Sequence, residues 1–542
     1  MTSRIFSRSL TRRSAVLAGV GLAASARYAS VFAQTPVAWS GATPVATPEG
    51  NYAPATGVER DAFVVGMYGL PDNLEPAIGE SNVSQATLLN IYETLVRRDF
   101  RNGGAIAPHL ATAWTQESDT QTVFRLREGV QFHNGNILTA DDVVFSFERI
   151  LNSADDSKFA TVKNTYIQTI ASVEALDDLT VRFTTHAPDP ILLRRLTVVP
   201  SFIVNRAYVE EIGDDAFAQQ PMGTGPYTFA SFDPGVELVL ERNDNYWGAI
   251  SPARQVTFTV IAEVASRITA LANGEIQIAT SMSPDQVTSI ESNGRNVTRS
   301  IGLANAHIIG FNGKAPGLAD KRVRQALSLS IDRALIIEAI FLGRATHLRQ
   351  FQFPDYGELL DESRPFTEYD MDRAKQLLDE SDYNGEKISY QLIPGYYLNN
   401  DQTGQVIVES WQSLGINAEL EVLDAGKIGT DEMSAHTWSC TNVWGDPAAG
   451  YWRQFGPGSY AQSAIWDAPA EFNEIGNEAS QTLDVAERRG LYSQLQDIWN
   501  VELPATDLYA IDNIAGVDAA TNWEPNPLHA IDLHAFNFSF NE

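Results

Sequence analysis

Residues 113–151 constrain what this 542-residue chain can fold into more than any other stretch. Phe124 and Leu126 alternate with Val123, Arg125 and Arg127, the period of a half-buried strand. Glu128-Gly129 turns the chain, Val130-Gln131-Phe132 resumes the alternation, and Asn134-Gly135 turns it again. Thr139 then precedes Ala140-Asp141-Asp142, which predicts a helix start with an oxygen cap and two acids on the positive end of the dipole. Val143, Val144, Phe147, Ile150 and Leu151 supply that helix with a buried stripe. Strand and helix signals alternating in this way predict an α/β fold, sheets covered by helices.

The residues Leu126-Arg127, Gly129-Val130, Phe132-His133-Asn134-Gly135 and Leu138-Thr139-Ala140-Asp141-Asp142-Val143 also carry a resemblance. The stretch resembles the signature of the extracellular solute-binding proteins of ABC importers, family 5, the peptide/nickel-binding family. Further markers are Pro221-Met222-Gly223-Thr224-Gly225-Pro226-Tyr227, Tyr246-Trp247, Leu271-Ala272-Asn273-Gly274, Phe311-Asn312, the run from Asp320 to Arg333, and Leu414-Gly415-Ile416. The resemblance covers roughly residues 60 to 510. It implies a periplasmic-binding-protein-like type II fold, two lobes around a ligand cleft plus an inserted subdomain. Transferred by its markers, the first lobe takes 58–95, 197–304 and 505–542, the inserted subdomain 96–196, and the second lobe 305–504.

The N-terminus argues for export on its own. Residues 1–48 contain no Asp or Glu, and Arg12-Arg13 stands directly before the short apolar run Ala15 to Ala26. That run is too short to span a bilayer, and the paired arginines predict a twin-arginine signal peptide over 1–33. Residues 34–57, rich in Thr, Ala, Pro and Gly, read as a flexible leader. A lipid anchor of the kind many family members carry needs a cysteine at the cleavage point. The only cysteine is Cys440, so no lipid anchor and no internal disulfide are expected; Cys440 reads as a small buried residue. Removing the five arginines of the signal takes the formal charge from −30 to about −35, which excludes nucleic acid and acidic membrane surfaces as partners. A periplasmic or extracellular monomer is expected.

Catalytic patterns are absent from the sequence. The eight histidines are scattered, with no His-Glu-x-x-His and no Gly-x-Ser-x-Gly. Asp141-Asp142 reads as a helix start and His133 as a turn residue satisfied by backbone. Neither an enzyme, nor a metal site, nor a cofactor is implied. An exported peptide or glycan hydrolase and a metal-chelate (nickel-type) carrier on the same fold are the alternatives.

The resemblance implies a ligand site from position alone: Tyr68 and Gly69 after the first strand, Asn312 after Phe311, Tyr396 and Tyr397 after Gly395, and Trp438, Val443, Trp444 and Asp446. Peptide-binding members usually hold the ligand's α-ammonium with an Asp three residues before the acid of an Asp-Pro pair. That position here is Val443. An ammonium buried there without a counter-charge is costly. The expected ligand is a peptide, an oligosaccharide or another organic solute that is neutral at this point, unless Asp446 or Asp424 reaches the same spot. Its delivery partner is the transmembrane part of an ABC permease.

Overall fold

In the computed structural model, which describes residues 58–79, 81–424 and 434–541, the alternating segment forms the strand Gln121–Leu126 and then the helix Ala140–Leu151. The signal segment and the leader lie outside the described residues. Val130 to Phe132 forms no strand. It contributes one bridge, Gln131 to Ile137, because Gly129 and Gly135, at φ +77° and +86°, bend the chain closely on either side. Thr139 donates from both its backbone N and its hydroxyl to Asp142 Oδ2, at 3.0 and 3.1 Å, closing the first helical turn. Phe147 packs edge-on against Phe183 at 4.9 Å, and Phe124 meets the same ring at 5.3 Å. The helix thus covers a four-stranded antiparallel sheet in the order Ala111–Ser118, Gln121–Leu126, Thr180–Thr185, Ile170–Asp177.

The larger sheet has eleven strands. From one edge its order is Ala418–Val422, Ile388–Leu392, Ala435–Thr441, Asn296–Phe311, Ala505–Asp518, Ile278–Ala279, Arg60–Met67, Ala253–Val260, Glu237–Arg242, Tyr227–Asp233, with Ala345–Thr346 paired to Ala505–Asp518 off this path. Two long strands in the middle carry the chain between its halves. Asn296 to Gly302 pairs with Asp518 to Asp512, and Ala306 to Gly310 with Ala510 to Ala505. Between these two stretches the register shifts, once between Gly302 and Ala306 and again between His307 and Ile308. Such irregularities bend a strand and weaken its ladder locally, so the two halves of the sheet meet at a natural flexing point. One half packs a core around Phe63, Tyr92, Tyr227 and Phe258, and the other a larger core around Phe311, Trp411, Phe455 and Trp499.

Two of the sequence markers meet in space. His133 donates its backbone N to the Gly223 carbonyl at 3.0 Å, and its Nε2 lies 3.1 Å from the Gly225 carbonyl. The glycines are needed there because the backbone of Asn90-Ile91 runs against them. A Cβ on Gly223 would stand 2.1 Å from the Ile91 carbonyl oxygen, and one on Gly225 2.7 Å from that of Asn90. Local stop signals also act as the sequence asks. Gly274 ends the helix Val264–Asn273 in the left-handed region, and Gly415 does the same for Asn400–Leu414. Cys440 is buried, and burial pushes its thiol up to about 12.

Candidate functional site

The residues singled out for the ligand site fall into separate neighbourhoods. Tyr68 and Gly69 follow the strand Arg60–Met67 in one half of the sheet, while Tyr396 and Tyr397 follow the strand Ile388–Leu392 in the other. Tyr68 is 46% exposed and Tyr396 64%, unusual for large rings in this chain. Partial burial raises the Tyr68 phenol above its ordinary pKa, the Tyr396 phenol raises it further, and Arg267 opposes both. Tyr396 stands edge-on to Tyr397 at 4.8 Å. Tyr397 in turn donates its hydroxyl to Ser439 Oγ at 3.1 Å and packs on His307 at 4.7 Å. Burial pushes the His307 imidazole down to about 4, so it is neutral at pH 7. The result is an uncharged patch of phenols and one hydroxyl, backed by the buried His307 imidazole, able to stack on a planar group and to hydrogen-bond it.

Trp438 is elsewhere. Successive residues of a strand point to opposite faces, so Ser439 joins Tyr397 while Trp438 faces away. It packs on His436 at 5.5 Å, Phe455 at 5.7 Å and Tyr460 at 5.8 Å. Asn312 is a buried turn residue; its Oδ1 accepts from Lys314 N at 3.0 Å and its own N donates to Ser434 O at 2.8 Å.

Val443, Trp444 and Asp446 form a buried turn pressed against the small four-stranded unit and the segments that flank it. The Trp444 ring lies 4.3 Å beneath the Arg195 guanidinium and edge-on to Tyr166 at 6.2 Å. Arg194 donates to the Trp444 carbonyl at 3.0 Å. Arg98 pairs with Asp355 at 2.9 Å and reaches the Val443 carbonyl at 3.4 Å, and Asn442 Nδ2 donates to the other Asp355 oxygen at 2.6 Å. Gly445 is required at this closure: its φ is +65°, and a Cβ would come within 2.5 Å of Arg98 Nη2. Asp446 is engaged from both sides. Arg488 grips its two oxygens at 2.6 and 2.8 Å, and Ala448 N donates to Oδ1 at 2.9 Å. Its carboxylate is thus committed to the protein, not directed at the Tyr68–Tyr396 surface. Sequence reasoning missed Tyr166, Arg98, Arg194, Arg195, His307 and Asp355, whose roles come from long-range packing and leave no local pattern.

Residues 105–462 match the family described as bacterial extracellular solute-binding proteins, family 5 Middle. The chain belongs to that family. It is 27% identical over 484 residues to Heme-binding protein A of Haemophilus influenzae, covering 82% of this chain and 86% of that protein. To the Dipeptide-binding protein of Escherichia coli it is 25% identical over 484 residues, covering 83% and 89%. Among solved structures, the ABC transporter-associated periplasmic binding protein DppA from Helicobacter pylori, in complex with peptide STSA, superposes with a TM-score of 0.78 at 24% identity, over 90% of this chain and 99% of that one. NikZ from Campylobacter jejuni in complex with Ni(L-His) superposes with a TM-score of 0.77 at 18% identity, over 89% and 100%. These likenesses fix the fold as that of the periplasmic binding proteins. The chain is a solute-binding protein of the ABC-transporter type, and its relatives are binding proteins, not enzymes. No helix among the described residues is long and apolar enough to cross a membrane.

Proposed function

We propose that this chain, exported through its twin-arginine signal and left unanchored as a monomer, captures a small organic solute between the two halves of its sheet and presents it to an ABC permease. The observation that carries the reading is the pair Tyr68 and Tyr396, exposed rings that follow strands in opposite halves of the sheet. A solute lying between them gains contacts only when the halves approach, so its differential affinity for the closed arrangement drives closure. The first lobe is 58–95, 197–304 and 505–542, the second 305–504, and the inserted subdomain 96–196 clamps the second through Trp444 and the Arg98–Asp355 pair.

The ligand is of the peptide or related organic class, because relatives are dipeptide-binding and heme-binding proteins and neighbours hold peptides. It carries no free ammonium at Val443. That side chain is buried, and the cations that reach its turn are Arg98, Arg194, Arg195 and Arg488, with Asp355 and Asp446 already paired. Calorimetry tests this with free-amine dipeptides and tripeptides, the same peptides N-acetylated, and neutral oligosaccharides. Binding of the acetylated or neutral set is expected. Tight binding of unmodified peptides that acetylation abolishes would overturn the neutral-end reading, while turnover of any bound compound would overturn the receptor reading.

A further inference from the structure

Glu93, His109 and His534 come from distant parts of the chain and meet in its interior, 0%, 8% and 4% exposed. One ligand atom from each lies within 4.8 Å of the others. His109 Nε2 is 3.1 Å and His534 Nε2 3.7 Å from the same Glu93 Oε1, so both imidazoles turn the same nitrogen toward one carboxylate oxygen. Two buried imidazole nitrogens and a carboxylate oxygen that converge in this way are a donor set for a metal ion. A tetrahedral ion with bonds of about 2.0–2.1 Å holds its donors about 3.3 Å apart, so the 3.1 Å separation fits and the 3.7 Å one closes with a small movement of His534.

The surroundings orient these donors. Asp532 Oδ1 sits 2.7 Å from His534 Nδ1, which holds the ring with Nε2 toward Glu93, where a bound ion takes the place of the Nε2 proton. Thr224 Oγ1 and Trp247 Nε1 both donate to Glu93 Oε2 at 2.7 Å, and Tyr246 donates to Oε1 at 2.7 Å, so the carboxylate cannot swing away. Arg97 is a cation beside the cluster, and the carboxylates of Glu93 and Asp532 oppose its charge.

We propose that Glu93, His109 and His534 bind a divalent cation of the zinc class, which ties the C-terminal segment around His534 to the early part of the chain. Two imidazoles with one carboxylate select zinc or cobalt over magnesium and calcium, which prefer oxygen donors throughout. None of these residues belongs to the solute surface, so the two readings stand or fall separately.

The test uses the mature chain, stripped with chelator, loaded with Zn2+ or Co2+ and dialysed. About one equivalent is expected to remain, with the strong visible bands of tetrahedral Co2+ and a higher melting temperature when zinc is bound. The double variant His109→Gln/His534→Gln should lose that equivalent, and Asp532→Asn should weaken it by about 10–100-fold. A wild type that keeps no zinc would overturn the proposal. So would undiminished retention by the double variant, which would put the metal in the solute cleft. Should the double variant fail to fold, X-ray absorption on the zinc-loaded wild type decides: a shell containing two imidazoles supports the site, and one without imidazole overturns it.

Discussion

Asp446→Asn isolates what the acid of the Asp446-Pro447 pair does. Asp446 and Arg488 have side chains 3% and 5% exposed, and they are joined by two hydrogen bonds of 2.6 and 2.8 Å. Burial works against the Arg488 charge, but the Asp446 carboxylate and the Tyr492 hydroxyl more than offset it and hold the guanidinium above its ordinary pKa. Asn keeps the shape and removes the charge, which leaves Arg488 one amide oxygen in place of two carboxylate oxygens, beside the Ala479 carbonyl and Tyr492, and sets an amide NH2 against its other nitrogen. Breaking a buried pair from one side costs about 3–5 kcal/mol. That is a large part of the about 5–15 kcal/mol by which a domain is stable. Equilibrium urea unfolding should show that loss. Solute affinity, measured well below the unfolding transition, should stay within about threefold of wild type, since neither Asp446 oxygen faces the Tyr68–Tyr396 surface. The double variant Asp446→Leu/Arg488→Met, which replaces both charges with apolar groups, should recover most of the stability. A loss under about 1 kcal/mol together with a collapse of affinity would refute this assignment and make Asp446 a ligand contact.

Acid should weaken the fold through its buried imidazoles. Burial pushes His133, His307, His436 and His529 each down to about 4, so the native chain keeps them neutral while an unfolded chain protonates them near 6.5. Their contribution is full above about pH 6.5 and is lost as pH falls toward 4, up to about 3 kcal/mol for each. Melting temperatures between pH 7.5 and 5 should fall more steeply for the wild type than for His307→Gln; equal slopes would remove His307 from the account. Gly223→Ala should cost several kcal/mol or abolish folding, because the new methyl would meet the Ile91 carbonyl at 2.1 Å, and near-wild-type denaturation would contradict that close approach. Arg12-Arg13→Lys-Lys keeps the charge and should strand folded precursor in the cytoplasm. Unchanged export on cell fractionation would assign the chain to the general secretion route.

Elements governed by short-range rules were legible in the sequence. The strand Gln121–Leu126 and the helix Ala140–Leu151 follow from periodicity and a cap, and the helix stops at Gly274 and Gly415 follow from glycine's access to positive φ. The strand expected at 130–132 failed for a local reason too, since two glycine turns leave no room for a ladder. The family resemblance singled out Tyr68, Tyr396 and Trp444 by position, but only the tertiary structure decided what surrounds each one: two exposed rings and one buried one. Alternation along a strand put Ser439, not Trp438, beside Tyr397. Arg488 reached Asp446 from 42 positions away, and Arg195 covered Trp444 from the short helix Leu192–Arg195. Glu93, His109 and His534 converge across 441 positions of chain, the distance from Glu93 to His534. No periodicity records such pairs, because they are set by how completed elements pack against each other.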